Sequence, residues 1–195
     1  MDKEVINLIA YHGTSNEGEK GILHSKSFKV SENDDEWIGH GIYFFYKDKA
    51  KEHSRDWATN VKNFKFYSII EVQIYVDCDK ILNLNEEEMQ ELFHKYRLAK
   101  IAEYKKRGIF IDQMNGNNAK ILDCMTVNDI ADKGQYQVVC QRRYIEFRKR
   151  KPRDKLIYSN IPNCNIMSVR DPGVIDKDSL KCIERSVKKW IKTNY

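Results

Sequence analysis

The sequence predicts an α+β fold rather than a doubly wound sheet, and two observations carry the prediction. Segments with strand periodicity dominate, and the helical segments between them do not alternate with strands as βαβ units require. The glycines also argue against a dinucleotide-binding turn. Gly39-His40-Gly41 lacks the third glycine that would open a helix, and no Walker sequence is present. With 195 residues, the chain reads as one domain spanning 1–195.

Taken in order, Val5 to Tyr11 is an apolar run that reads as a buried strand and ends in His12-Gly13-Thr14-Ser15. Ser15 or Asn16 is placed to cap a short helix through Leu23. An acidic loop from Ser31 to Glu36 follows, and then Gly39 and Gly41 precede the run Ile42-Tyr43-Phe44-Phe45. Asp48 suits the N-cap of a helix from Lys49 to about Ala58. Phe66 to Val76 is the clearest strand. Phe66, Ser68, Ile70, Val72, Ile74 and Val76 share one face, opposite Tyr67, Glu71 and Gln73.

Asn85, with Glu88 as its capping-box partner, opens a long helix. Met89, Leu92, Phe93, Tyr96 and Ala99 form one face of that helix, and Gly108 suits its end. A polar loop spans Met114 to Asn118, a strand runs from Tyr136 to Phe147, and another covers Cys164 to Val169. Leu180, Ile183, Val187 and Trp190 predict a terminal amphipathic helix over Asp178 to Ile191.

Charged residues make up 32% of the chain, mean hydropathy is −0.69, and no apolar run reaches the ~18 residues of a membrane span. The acidic N-terminus has no apolar leader core, so the reading is cytoplasmic, with no membrane partner. Cys78, Cys124, Cys140, Cys164 and Cys182 are odd in number and form no Cys-x-x-Cys clip, so they read as reduced, buried thiols. His24, His53 and His94 have no metal-ligand spacing, and His40 reads as a loop histidine. No metal site is assigned.

The net charge of +5 is unevenly spread. Gln141 to Lys155 holds eight bases against two acids, which leaves the rest of the chain near neutral. Such a strip suits a polyanionic partner, RNA or DNA first, and a solvated basic hairpin is the plainer alternative. Arg142, Arg143, Arg148 and Arg150 are its candidate substrate-binding residues.

Two motifs carry chemistry together: Tyr11-His12-Gly13-Thr14 after the first strand, and Gly39-His40-Gly41-Ile42-Tyr43-Phe44 about thirty residues later. His12-Gly13-Thr14 resembles the His-Gly-(Ser/Thr) of PARP-like and diphtheria-toxin-like ADP-ribosyltransferases. Gly41-Ile42-Tyr43-Phe44 resembles their Gly-(Ile/Val)-Tyr-Phe. The resemblance covers Tyr11 to about Trp57 and leans toward small bacterial toxin and phage-defence enzymes. It implies a split, mainly antiparallel sheet with flanking helices, and NAD⁺ as co-substrate. His12, Gly13, Thr14 and Tyr43 would bind NAD⁺. Gly13 would pair with the nicotinamide carboxamide, His12 would bond a ribose hydroxyl, and Tyr43 would stack on the ring.

The family's third position is usually glutamate. Here the resemblance favours Asn165, before Val169-Arg170-Asp171-Pro172, with Gln141 and Glu146 as the other choices. An amide at that position implies single transfer rather than polymer growth.

The reading is therefore a mono-ADP-ribosyltransferase with catalytic His12, Tyr43 and Asn165. It acts on RNA, with an acidic protein as the other acceptor, and serves as a toxin or defence effector with an antitoxin partner. A catalytically inactive module that binds ADP-ribose or RNA is a further alternative. An RNA 2′-phosphotransferase ranks last, because no arginine precedes Arg55.

Overall fold

The eleven residues of strand β1 (Val5–Ser15) lie inside the sheet and pair along their whole length with β3 (Tyr67–Asp77). The computed structural model describes residues 4–108, 116–148 and 159–186. The remaining strands are β2 (Ile42–Tyr46), β4 (Ile81–Asn83), β5 (Val138–Arg143), β6 (Cys164–Val169) and β7 (Ile175–Arg185). Together they form one seven-stranded sheet in the order β4-β5-β6-β2-β1-β3-β7. Every neighbouring pair is antiparallel except β4 with β5. The fold is α+β, as the irregular order of strands and helices predicts.

The period-two pattern of β3 puts Ser68, Ile70, Val72, Ile74 and Val76 in the interior. The four apolar residues among them join Ala10, Phe44, Met167 and Val169 in a core covered partly by Ile22 of α1 (Asn16–Ser25) and by Phe28. On the other face, α4 (Gly116–Gly134) packs Val127, Ile130 and Ala131 onto Leu82, Val139 and Ile166. The half-buried Met89, Leu92, Phe93 and Tyr96 of α3 (Glu87–Lys106) close that layer. Each fully buried Phe or Ile contributes roughly 1.5–3 kcal/mol. α2 (Ala50–Asp56), extended by a π-turn over Trp57–Val61, lies against β1 and β2.

Several elements depart from the sequence expectation, each for a physical reason. β1 is half-buried rather than buried, because Val5 and Ile9 project from an uncovered part of the sheet. The polar run expected to be a loop contributes Gly116-Asn117-Asn118 as the first turn of α4, while 109–115 lie outside the described residues. The tail expected to be helical is β7, which pairs with β3. Bulges between Ile69 and Ile70 and between Glu71 and Gln73 break the alternation that would mark it as a strand. Residues 187–195 lie outside the described set.

The helix caps also differ from expectation. Asn85 does not cap α3: its Oδ1 accepts the Arg142 N–H at 2.6 Å, tying β5 to the start of the helix. α2 starts after Lys49, whose positive φ turns the chain, and not from an Asp48 cap. Ser15 does cap α1, accepting the Gly18 N–H at 3.0 Å.

Candidate active site

β1 and β2 pair at only two positions, Ala10 with Tyr46 and Tyr11 with Phe45. Past that point the two strands no longer pair with each other, and His12 bridges them there. Its Nδ1–H donates to the Tyr43 carbonyl at 2.9 Å, since a carbonyl can only accept. The ring lies edge-on to Phe28 and Phe44, with centroids 5.3 and 5.7 Å away. Burial drives the His12 pKa below its ordinary value, and the carbonyl bond offsets this only in part. The imidazole is therefore neutral near pH 7, with Nε2 left as an acceptor.

The cleft at this gap holds about 370 Å³, within the roughly 300–1,000 Å³ of small-molecule sites. His12, Gly13 and Tyr43 all line it, so the structure brings together the two motifs. Gly13 has a local reason to lack a side chain: a Cβ there would lie 2.1 Å from the Ser54 carbonyl of α2. Gly41, at φ +152°, is likewise fixed, because a Cβ would meet Ser168 Oγ at 2.1 Å.

The Tyr43 hydroxyl is tied into the preceding loop. It accepts the Ile38 N–H at 3.0 Å and donates to the Gly39 carbonyl at 2.7 Å. Burial raises its pKa far above that of a free phenol, and the nearby Glu36 carboxylate adds to the rise against the Ile38 hydrogen bond. Its hydroxyl is fixed in place and stays protonated near neutral pH. Thr14 faces a second hollow, shared with His12, Gly18 and Phe28.

The third-position candidates do not reach this cleft. Asn165 sits opposite Arg142 in the β5–β6 register, and Ile166, not Asn165, lines the cleft. Gln141 accepts from Arg143 at 3.2 Å and lines a separate pocket beside Trp37. The Glu146 side chain is 6% exposed and pairs with Arg148 at 3.0 Å.

Within the described part of the basic strip, the arginines do not share one surface. Arg142 is exposed, whereas Arg143 turns inward to stack on the Trp37 ring, 5.3 Å from its centroid, and burial lowers its pKa. Arg150 lies outside the described residues.

Sequence reasoning missed several residues of the cleft. Trp37 and Trp57 meet edge to face at 5.4 Å and form one wall. Lys29, Lys62 and Lys120 supply cations, and Asp35 and Glu36 supply carboxylates. Sequence spacing gives no signal for the lysines, which come from three separate parts of the chain. Among the described residues, no three His, Cys, Asp or Glu side chains are grouped to hold a metal, and no helix is long and apolar enough to cross a membrane. All five cysteines are free. Cys124, Cys140 and Cys164 are buried as expected, but Cys78 is exposed and Cys182 half-buried. Burial pushes the Cys140 thiol up to about 11 and the Cys164 thiol up to about 12, so both stay protonated.

The chain has an archaeal relative. The uncharacterized protein MJ0359 of Methanocaldococcus jannaschii is 24% identical over 205 residues, covering 95% of this chain and 92% of its own. No family model and no solved structure matches the chain.

Proposed function

We propose that this chain is a cytoplasmic mono-ADP-ribosyltransferase that moves ADP-ribose from NAD⁺ to a macromolecular acceptor, RNA first. One observation carries the reading. His12-Gly13 on β1 and Tyr43 on β2 face each other across the gap where the two strands stop pairing, inside a cleft. A sheet split at that gap is what the resemblance to PARP-like and diphtheria-toxin-like enzymes implies.

The residues present fit NAD⁺. Tyr43 and the Trp37–Trp57 pair offer aromatic faces to a cationic nicotinamide. Lys29, Lys62 and Lys120 offer cations to a pyrophosphate. The neutral His12 leaves Nε2 to accept a ribose hydroxyl. In the reaction the bond between the anomeric carbon and the nicotinamide nitrogen breaks, and its electron pair leaves with nicotinamide. The acceptor nucleophile then bonds that carbon and releases its proton to solvent. The protein's task is to stabilise positive charge at the anomeric carbon while holding both partners still.

Arg142 and Arg148 begin the basic strip on the side of the chain leading from β5, and they would hold the acceptor's phosphates. The biological role we infer is that of a toxin or phage-defence effector restrained by an antitoxin.

The test is to incubate the purified protein with adenylate-labelled NAD⁺ and, separately, total RNA and total protein. Label on RNA, absent with a folded His12→Ala variant, is expected, and the same substitution should relieve growth arrest on expression in bacteria. Label on protein alone would make the enzyme protein-directed. No label and no released nicotinamide would overturn the reading and leave a binding module.

A further inference from the structure

Cleavage of NAD⁺ calls for negative charge beside the anomeric carbon, and none of the three third-position candidates supplies it here. Asn165 and Gln141 are neutral and Glu146 is paired with Arg148, all away from the cleft of His12 and Tyr43. The acids that do line that cleft are Asp35 and Glu36, in the loop between α1 and β2.

Glu36 differs from its neighbour in being held. Its Oε1 accepts from the Ser31 hydroxyl and, at 3.0 Å, from the Asn33 amide. Ser31 is itself fixed to the start of β2 by paired backbone bonds with Gly41, at 2.9 and 3.0 Å. A carboxylate on a loop thus acquires the rigidity of the sheet that carries Tyr43. Oε2 has no hydrogen-bond partner among the described residues and is not buried, so it is free to serve a ligand. Asp35 makes no side-chain hydrogen bond among the described residues.

We propose that Glu36 is the carboxylate that stabilises the developing cation, supplied by the loop between the two motif strands instead of by a late strand. The inference rests on the NAD⁺ reading above. Glu36 Oε2 bears the charge, and Ser31 and Asn33 are positioning residues. Glu36 neither gains nor loses a proton in the cycle: the leaving nicotinamide takes the electron pair, and the acceptor's proton goes to solvent.

The experiment measures nicotinamide release from NAD⁺ by wild type and by Glu36→Gln, Glu36→Asp, Asp35→Asn and His12→Ala. Glutamine keeps an Oε1 acceptor for Ser31 and Asn33, so the Glu36→Gln variant should unfold at the wild-type temperature. Its kcat should fall about a hundredfold, with KM within a few-fold, because the lost interaction belongs to the transition state. Glu36→Asp should recover part of that loss, and Asp35→Asn should lower kcat less than Glu36→Gln does, because no side-chain hydrogen bond among the described residues fixes Asp35 in the cleft. If Glu36→Gln keeps kcat within a few-fold of wild type while His12→Ala is inactive, the inference falls and the transferase reading stands. If wild type releases no nicotinamide, both fall together.

Discussion

Tyr43 shows how one side chain can serve a site and a fold at once. The residue lines the cleft, while its hydroxyl holds the loop that carries Trp37 and Glu36 through Ile38 N–H and the Gly39 carbonyl. Ile38 is fully buried, so its N–H has no water to turn to when the hydroxyl is removed. Tyr43→Phe should therefore destabilise the protein by about 1–3 kcal/mol, the cost of leaving a buried donor unpaired. Denaturant titration should show a lower midpoint with an unchanged slope. The aromatic face survives the substitution, so nicotinamide release should fall far less than in His12→Ala. A variant of wild-type stability would mean that the loop finds its hydrogen bonds elsewhere.

At the scale of elements, the cleft depends on α2 staying against the strands that flank it, and a charge cluster fastens that helix. Arg55 of α2 forks onto Glu184 of β7 with two bonds of 2.6 Å, and the Tyr67 hydroxyl of β3 adds a third at 2.9 Å. These bonds, the Arg55 pair first, hold the Glu184 carboxyl at about 2, against an ordinary 4.5. A depressed folded-state pKa stabilises above the unfolded value and loses that effect as pH falls through the folded value. The difference in melting temperature between wild type and Glu184→Gln should be full at pH 7 and shrink as pH drops from about 4.5 to about 2. A constant difference across that window would show that the pair contributes packing rather than charge.

β7 is also where the sequence misleads, since its two bulges give it a spacing that reads as a helix. α4 escapes notice because its first turn is Gly116-Asn117-Asn118, residues that otherwise mark turns. His12, Gly13 and Tyr43 were legible because their motifs sit on strands whose local apolar pattern fixes their place. Glu36 was not legible. Its loop reads as solvated acid, and only the long-range pairing of Ser31 with Gly41 brings it to the cleft.

For the molecule as a whole, the asymmetry of charge would separate the two steps of the proposed transfer, which a single activity assay would merge. The near-neutral body carries the cleft, while the excess of bases lies between Gln141 and Lys155, and Arg143 is withdrawn from that strip by stacking on Trp37. On the proposed reading, nicotinamide release to water would use only the cleft, whereas transfer to RNA would also have to bring a polyanion to the strip. Binding through about four phosphate contacts on a single strand gives a slope near −3 in a plot of log affinity against log salt concentration. Transfer to RNA at limiting RNA should thus fall about fiftyfold between 50 and 200 mM salt. Nicotinamide release without acceptor should change little over the same range, because a small dinucleotide meets few cations. Changing both Arg142 and Arg148 to Gln should flatten the slope for RNA by about 1.4 units, and leave release into water intact. If transfer and release instead lose activity in parallel with salt, the cations that matter are those of the cleft, Lys29, Lys62 and Lys120, and the strip has no part in choosing the acceptor.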